Sequence, residues 1–116
     1  MTLDEYQKKA LTTDHFADQA KSAAVTDPAY VAKILGLVGE SGEVAEKYKK
    51  IIRNQAGELT EENRRELAKE LGDVLWYVAV LARYLDTDLE EVAAGNIKKL
   101  ADRKQRNVIA SSGDNR

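Results

Sequence analysis

Between Val74 and Ala82 every residue is apolar or aromatic, and the run lies inside a segment that repeats at helical spacing. Leu67, Leu71, Val74, Val78, Leu81 and Leu85 mark its core stripe. A helix that is apolar all round must be covered on all sides, because each exposed large side chain keeps ordered water against it. Three neighbouring helices do not easily give that much cover. The run therefore predicts a helical domain that also assembles with copies of itself, as a dimer or tetramer, burying part of this helix in the interface.

The rest of the chain supplies the neighbours. Thr2-x-x-Glu5 is a capping-box pattern, and Tyr6, Ala10, Ala17, Ala20 and Ala24 then recur near helical spacing. That stripe is thin, so the first helix is expected to pack loosely or against a second subunit. Asp27-Pro28 gives an N-cap followed by proline at the first helical position. It opens a second helix with Val31, Ile34, Val38, Ala45, Tyr48 and Ile52 on one face. Asn54 to Leu59, with Gly57, reads as a short loop. Thr60 caps the third helix, with Glu61 and Glu62 in the turn where the helix dipole favours negative charge. Thr87-x-x-Glu90 is a further capping-box pattern and opens a fourth helix through Leu89, Val92, Ala93, Ile97 and Leu100. Short connections between four helices predict an all-α, four-helix-bundle-like domain over residues 1–104. A polar tail without periodicity follows over residues 105–116.

A chain of 116 residues is one domain, large enough for a single core. Its net charge of −2, with signs intermixed, argues against broad binding to nucleic-acid polymers or anionic membranes. The absence of cysteine excludes a disulfide framework and a thiolate metal centre. MTLDEYQKK is too polar for a secretory signal, and no apolar run approaches membrane-spanning length. A cytoplasmic location is the resulting expectation.

Chemistry enters with two acidic pairs at matching spacing, Glu40-x-x-Glu43 on the second helix and Glu70-x-x-Asp73 on the third. Three-residue spacing puts both members of a pair on one side of their helix. If the helices lie side by side, four carboxylates converge and repel one another unless a cation neutralises them. Oxygen-only ligation suits Mg²⁺, with Mn²⁺ as a substitute. An acidic pair alone is common on solvated helices, but Asp73 directly precedes the apolar run. A carboxylate there costs several kcal/mol without a cation or a basic partner. On the second helix Gly36, Gly39 and Gly42 each cost about 0.5–1 kcal/mol relative to alanine, which close approach of another backbone or a ligand would justify. Gly36, Glu40, Glu43, Lys47 and Lys50 form one stripe, roughly opposite the helix's main apolar face; Leu37, Val44 and Ile51 make a second apolar row beside Glu40. Tyr77 lies one turn beyond Asp73, with Trp76 next to it. On the fourth helix Asn96, Lys99 and Arg103 share a face with Val92. His15 is the one histidine and reads as a surface residue.

These motifs resemble the all-α nucleoside triphosphate pyrophosphohydrolases of the MazG type. The resemblance rests on GLVGESGEVAEKYKK (Gly36–Lys50), ELGDVLWYVAVLA (Glu70–Ala82), LEEVAAGNIKKL (Leu89–Leu100) and SGDNR (Ser112–Arg116). The start EYQKKALTT is similar to small single-domain members from bacteria and phages. The resemblance implies hydrolysis of a (deoxy)nucleoside triphosphate between the α and β phosphates, giving monophosphate and pyrophosphate. It also implies Mg²⁺ held by Glu40, Glu43, Glu70 and Asp73, with Glu43, and Glu40 beside it, as the catalytic carboxylates. Lys47, Lys50, Asn96, Lys99 and Arg103 would then position phosphates or sugar, and Trp76 and Tyr77 would border the nucleoside. Asp114 and Arg116 resemble a family element that closes over the site. The competing expectation is a non-catalytic helical oligomerisation or regulatory protein that keeps the fold. A di-iron carboxylate bundle is set aside, because Thr12, three residues before His15, is no carboxylate.

Overall fold

A computed structural model describes residues 1–20 and 24–106. They form five helices and no strand: α1 (Leu3–Leu11), α2 (Ala17–Ala20), α3 (Pro28–Gln55), α4 (Glu61–Tyr84) and α5 (Leu89–Gln105). The all-α expectation holds. The expected tail from residue 107 onward, Asp114 and Arg116 included, lies outside the described residues, as do residues 21–23.

The first predicted helix is broken in two, and local hydrogen bonds explain the break. The hydroxyls of Thr12 and Thr13 donate to the carbonyls of Lys9 and Ala10 at 2.6 and 2.7 Å, and Asp14 Oδ1 accepts from the Phe16 N–H at 3.1 Å. Short polar side chains that bond nearby backbone offer the chain an alternative to another helical turn. Nor does α1 pack loosely. Gln7, 3% exposed, donates from Nε2 to the carbonyls of Ala79 and Thr87, and its Oε1 accepts from the Leu89 N–H. Asp4 Oδ1 accepts from the Glu90 N–H at 3.1 Å. Side chains of α1 thus satisfy two of the N–H groups that the start of α5 leaves open, and tie that start to α4. The expectation of loose packing fails because a thin apolar stripe gives no sign of a buried amide.

The long helices α3 and α4 run antiparallel. Tyr30 meets Tyr84, Gly36 meets Tyr77, Glu40 approaches Asp73, and Lys47 meets Glu66. Asp27 caps α3, as its sequence suggests. That helix runs to Gln55, so the first two residues of the expected loop are helical; Ala56 and Gly57 then turn the chain with positive φ. Thr60 caps α4, with Asn63 completing the box. The cap of α5 falls one residue later than expected, on Asp88 rather than Thr87, and Glu91 Oε2 accepts from the Asp88 N–H.

The orientation of α3 corrects the sequence-based face. Within the chain α3 turns Ala29, Tyr30, Lys33 and Ile51 inward, with the Glu40–Lys47 side towards α4. Its expected core face is turned outward: Val31, Ile34, Val38, Tyr48 and Ile52 are all exposed, Val38 and Ile52 at 66%. Leu71 and Leu85 of the α4 stripe are exposed as well, and the apolar run is fully covered only at Ala79, Val80 and Ala82. The buried core is small and lies where α1, α3, α4 and the start of α5 meet: Ala10, Ala29, Tyr30, Ala79, Val80, Tyr84 and Leu89.

Candidate metal and nucleotide site

Midway along the α3–α4 pair, Glu40, Glu70 and Asp73 bring one carboxylate oxygen each to within 4.8 Å of one another. Glu40 comes from the fourth turn of α3, and Glu70 and Asp73 from consecutive turns of α4 on the side that faces it. Glu40 is half-buried, Glu70 keeps 16% of its side chain exposed, and Asp73 is open. Glu43 is exposed and does not share this three-oxygen group. It is still near enough to matter. Partial burial and then the charges of Asp73, Glu70 and Glu43 hold the Glu40 carboxyl above the ordinary glutamate value. Self-repulsion of this kind is what a small hard cation relieves. The donor set is oxygen-only and fits such an ion.

Lys47, one turn beyond Glu43, is already engaged. Its Nζ stands 3.1 Å from Glu70 Oε1 and 3.3 Å from Glu66 Oε2, and these hydrogen bonds, Glu70's foremost, raise its pKa. Lys50 is exposed and shares with Lys47, Asn54, Gln55 and Asn63 a cleft of about 190 Å³. Trp76 and Tyr77 meet edge to face at 4.9 Å, and Trp76 Nε1 donates to Thr13 Oγ1 at 2.8 Å. On α5, which packs on α1 and α4, Asn96 is exposed, Lys99 is half-buried and Arg103 is 3% exposed. The acidic group itself is drawn from α3 and α4 alone.

Of the three glycines, Gly36 alone meets a neighbour closely: a methyl there would collide with the Tyr77 ring. Gly39 and Gly42 face open space within the chain, contrary to the expectation for a row of close approaches.

Two features went unread in the sequence. Tyr6 of α1 stands beside the group: burial and then the charge of Asp73 raise its pKa. Lys33 is 5% exposed and pairs with Asp14 at 2.9 Å, under the rings of Phe16, Trp76 and Tyr84. Asp14 also accepts from the Tyr84 hydroxyl. Extending the Gly36–Glu40 stripe one turn towards the start of α3 would have reached Lys33; nothing in the sequence points to its partner. His15 is exposed, as expected.

The family description of the MazG nucleotide pyrophosphohydrolase domain matches residues 30–108. The chain is also 47% identical over all 116 residues, and over the full length of both chains, to the Gene 37 protein of Mycobacterium phage L5. No solved structure matches significantly.

Proposed function

The chain belongs to the MazG nucleotide pyrophosphohydrolase family, and from that premise we propose that it hydrolyses (deoxy)nucleoside triphosphates between the α and β phosphates. Water adds to phosphorus, the bond to the bridging oxygen breaks, and monophosphate and pyrophosphate leave. The observation that carries the proposal is the convergence of Glu40, Glu70 and Asp73 from two packed helices, with oxygens within 4.8 Å of one another. We assign these three as ligands of Mg²⁺, or Mn²⁺ in its place. A bound divalent ion would neutralise charge on the leaving pyrophosphate and lower the pKa of the attacking water.

Glu43 follows Glu40 by one turn and stands outside the three-oxygen group, so its carboxylate is free to orient water and accept its proton. We therefore give Glu43 the role of base, with Glu40 supporting it, and keep a metal contact from Glu43 as secondary. Lys47 and Lys50 supply positive charge for the phosphates along the same side of α3. Trp76 and Tyr77 border the nucleoside, and Asn96 and Lys99 on α5 complete the substrate contacts, while Arg103, 3% exposed, lies beneath that surface. The proposal includes a homo-oligomer that covers the outward apolar face of α3, and a cytoplasmic setting where nucleotides are found. No helix among the described residues is long and apolar enough to cross a membrane.

A panel of ribo- and deoxynucleoside triphosphates with Mg²⁺, read by ³¹P NMR, tests the reading. Monophosphate and pyrophosphate are expected. Diphosphate and orthophosphate would contradict α–β cleavage, and absence of both turnover and nucleotide binding would favour a helical oligomerisation protein without catalysis.

A further inference from the structure

Gly36 of α3 lies directly against the Tyr77 ring of α4. A methyl group on residue 36 would overlap the Tyr77 ring and stand 2.7 Å from its hydroxyl oxygen. The ring is not free to swing aside without loss. It packs edge to face on Trp76, and the Trp76 indole is itself held by Thr13 from the segment after α1. Gly36 lies one turn before Glu40, and Tyr77 one turn after Asp73. The contact is therefore the layer directly next to the three carboxylates, on the same two helices. Mg²⁺ asks for ligands at about 2.0–2.1 Å in near-octahedral array, so small changes in the separation of the helices bear directly on binding.

From this we infer that Gly36 and Tyr77 are positioning residues, a spacer that sets the gap between α3 and α4 at the carboxylates, with Trp76 and Thr13 holding the ring in place. The inference rests on the metal-site reading above. It also accounts for a glycine at residue 36: the cost of glycine in a helix is offset by an approach that alanine would forbid. Gly39 has no such contact and serves as the control.

The test is Mn²⁺ binding to the 116-residue chain, followed by electron paramagnetic resonance of the free ion, with circular dichroism on each variant. Gly36→Ala should weaken binding about tenfold or more, the range seen when groups supporting metal ligands are altered. Its helical signal should be kept. Gly39→Ala should bind as the parent does. Combining Gly36→Ala with Tyr77→Ala should recover much of the loss, because removing the ring makes room for the methyl. If Gly36→Ala does not fold, the double variant decides: a folded chain that binds Mn²⁺ close to the parent supports the spacer, and a folded chain that binds as weakly as Asp73→Asn overturns it. Parent-like affinity in Gly36→Ala, an equal loss in Gly39→Ala, or no recovery in the double variant would each overturn it too. Asp73→Asn separates the two readings. If the parent binds no Mn²⁺, or Asp73→Asn binds as well as the parent, the carboxylate site itself falls; loss in Asp73→Asn beside no loss in Gly36→Ala sinks the spacer alone.

Discussion

Glu43 and its three acidic neighbours share a sequence pattern but not a position, and the difference predicts different phenotypes. Glu40→Gln, Glu70→Gln and Asp73→Asn each remove an oxygen from the convergent group, so calorimetric titration should show weakened Mg²⁺ binding together with lost turnover. Glu43→Gln should retain most of the Mg²⁺ affinity while turnover falls about 10²–10⁴-fold, the usual worth of a positioned base. Equal loss of metal affinity in all four variants would contradict that division. The raised pKa of Glu40 gives a second prediction, with a definite sign. Metal needs the carboxylate form, so affinity should fall as pH drops into the upper carboxylate range, and binding there should release protons. Titrations in two buffers of different ionisation enthalpy would reveal the release. The paired spacing made the four acids legible in sequence. Which three converge was not, because that depends on how α3 is rotated about its axis.

At the scale of elements, the segment between α1 and α2 is fastened by a buried ion pair, Asp14 with Lys33, whose side chains are 1% and 6% exposed. Removing one partner of such a pair leaves an uncompensated charge, so Lys33→Ala should cost about 3–5 kcal/mol in urea denaturation. Burial alone would push the Asp14 carboxyl up, but the Tyr84 hydroxyl, the Lys33 ammonium and the Phe16 N–H outweigh it and leave it below the ordinary value. A lowered carboxyl pKa contributes stability above its unfolded value, about 3.9, and that contribution is lost as pH falls through the folded value. Tyr84 is shifted upward, by burial and by its bond to Asp14, so its contribution is present below about pH 10 and lost as pH rises beyond. Stability measured against pH should therefore decline at both ends, and Asp14→Asn should flatten the acid limb. Gln7→Ala should cost about 1–3 kcal/mol by leaving the Leu89 N–H and two carbonyls without their partner. Helix starts at Asp27 and Thr60 could be read from their caps, since capping is local chemistry. The Gln7 and Asp14 attachments could not, because each joins residues about 20 to 80 positions apart in the chain.

For the molecule as a whole, the single chain is less compact than its size allows. Its radius of gyration is 17.0 Å, against about 13 Å for a compact domain of 100 residues. Its accessible surface is 8217 Å², against about 6,300 Å² for a compact monomer of this mass. The outward row of Val31, Ile34, Leu35 and Val38 on α3, with Leu71 and Leu75 on α4, is the surface that a second copy would cover. An excess of apolar surface was legible in the Val74–Ala82 run, whereas the α3 row read as part of the chain's own core. Light scattering after size-exclusion chromatography should give a multiple of 12.9 kDa, and Val38→Lys should shift the species towards the monomer. A clean 12.9 kDa particle from the parent chain would contradict the oligomer. The claim on which the functional account turns is that α3 and α4 together grip one divalent ion. Anomalous diffraction from crystals grown with Mn²⁺ locates that ion directly. A peak bounded by Glu40, Glu70 and Asp73 is expected, and a peak placed elsewhere, with nothing between these three side chains, would contradict the claim.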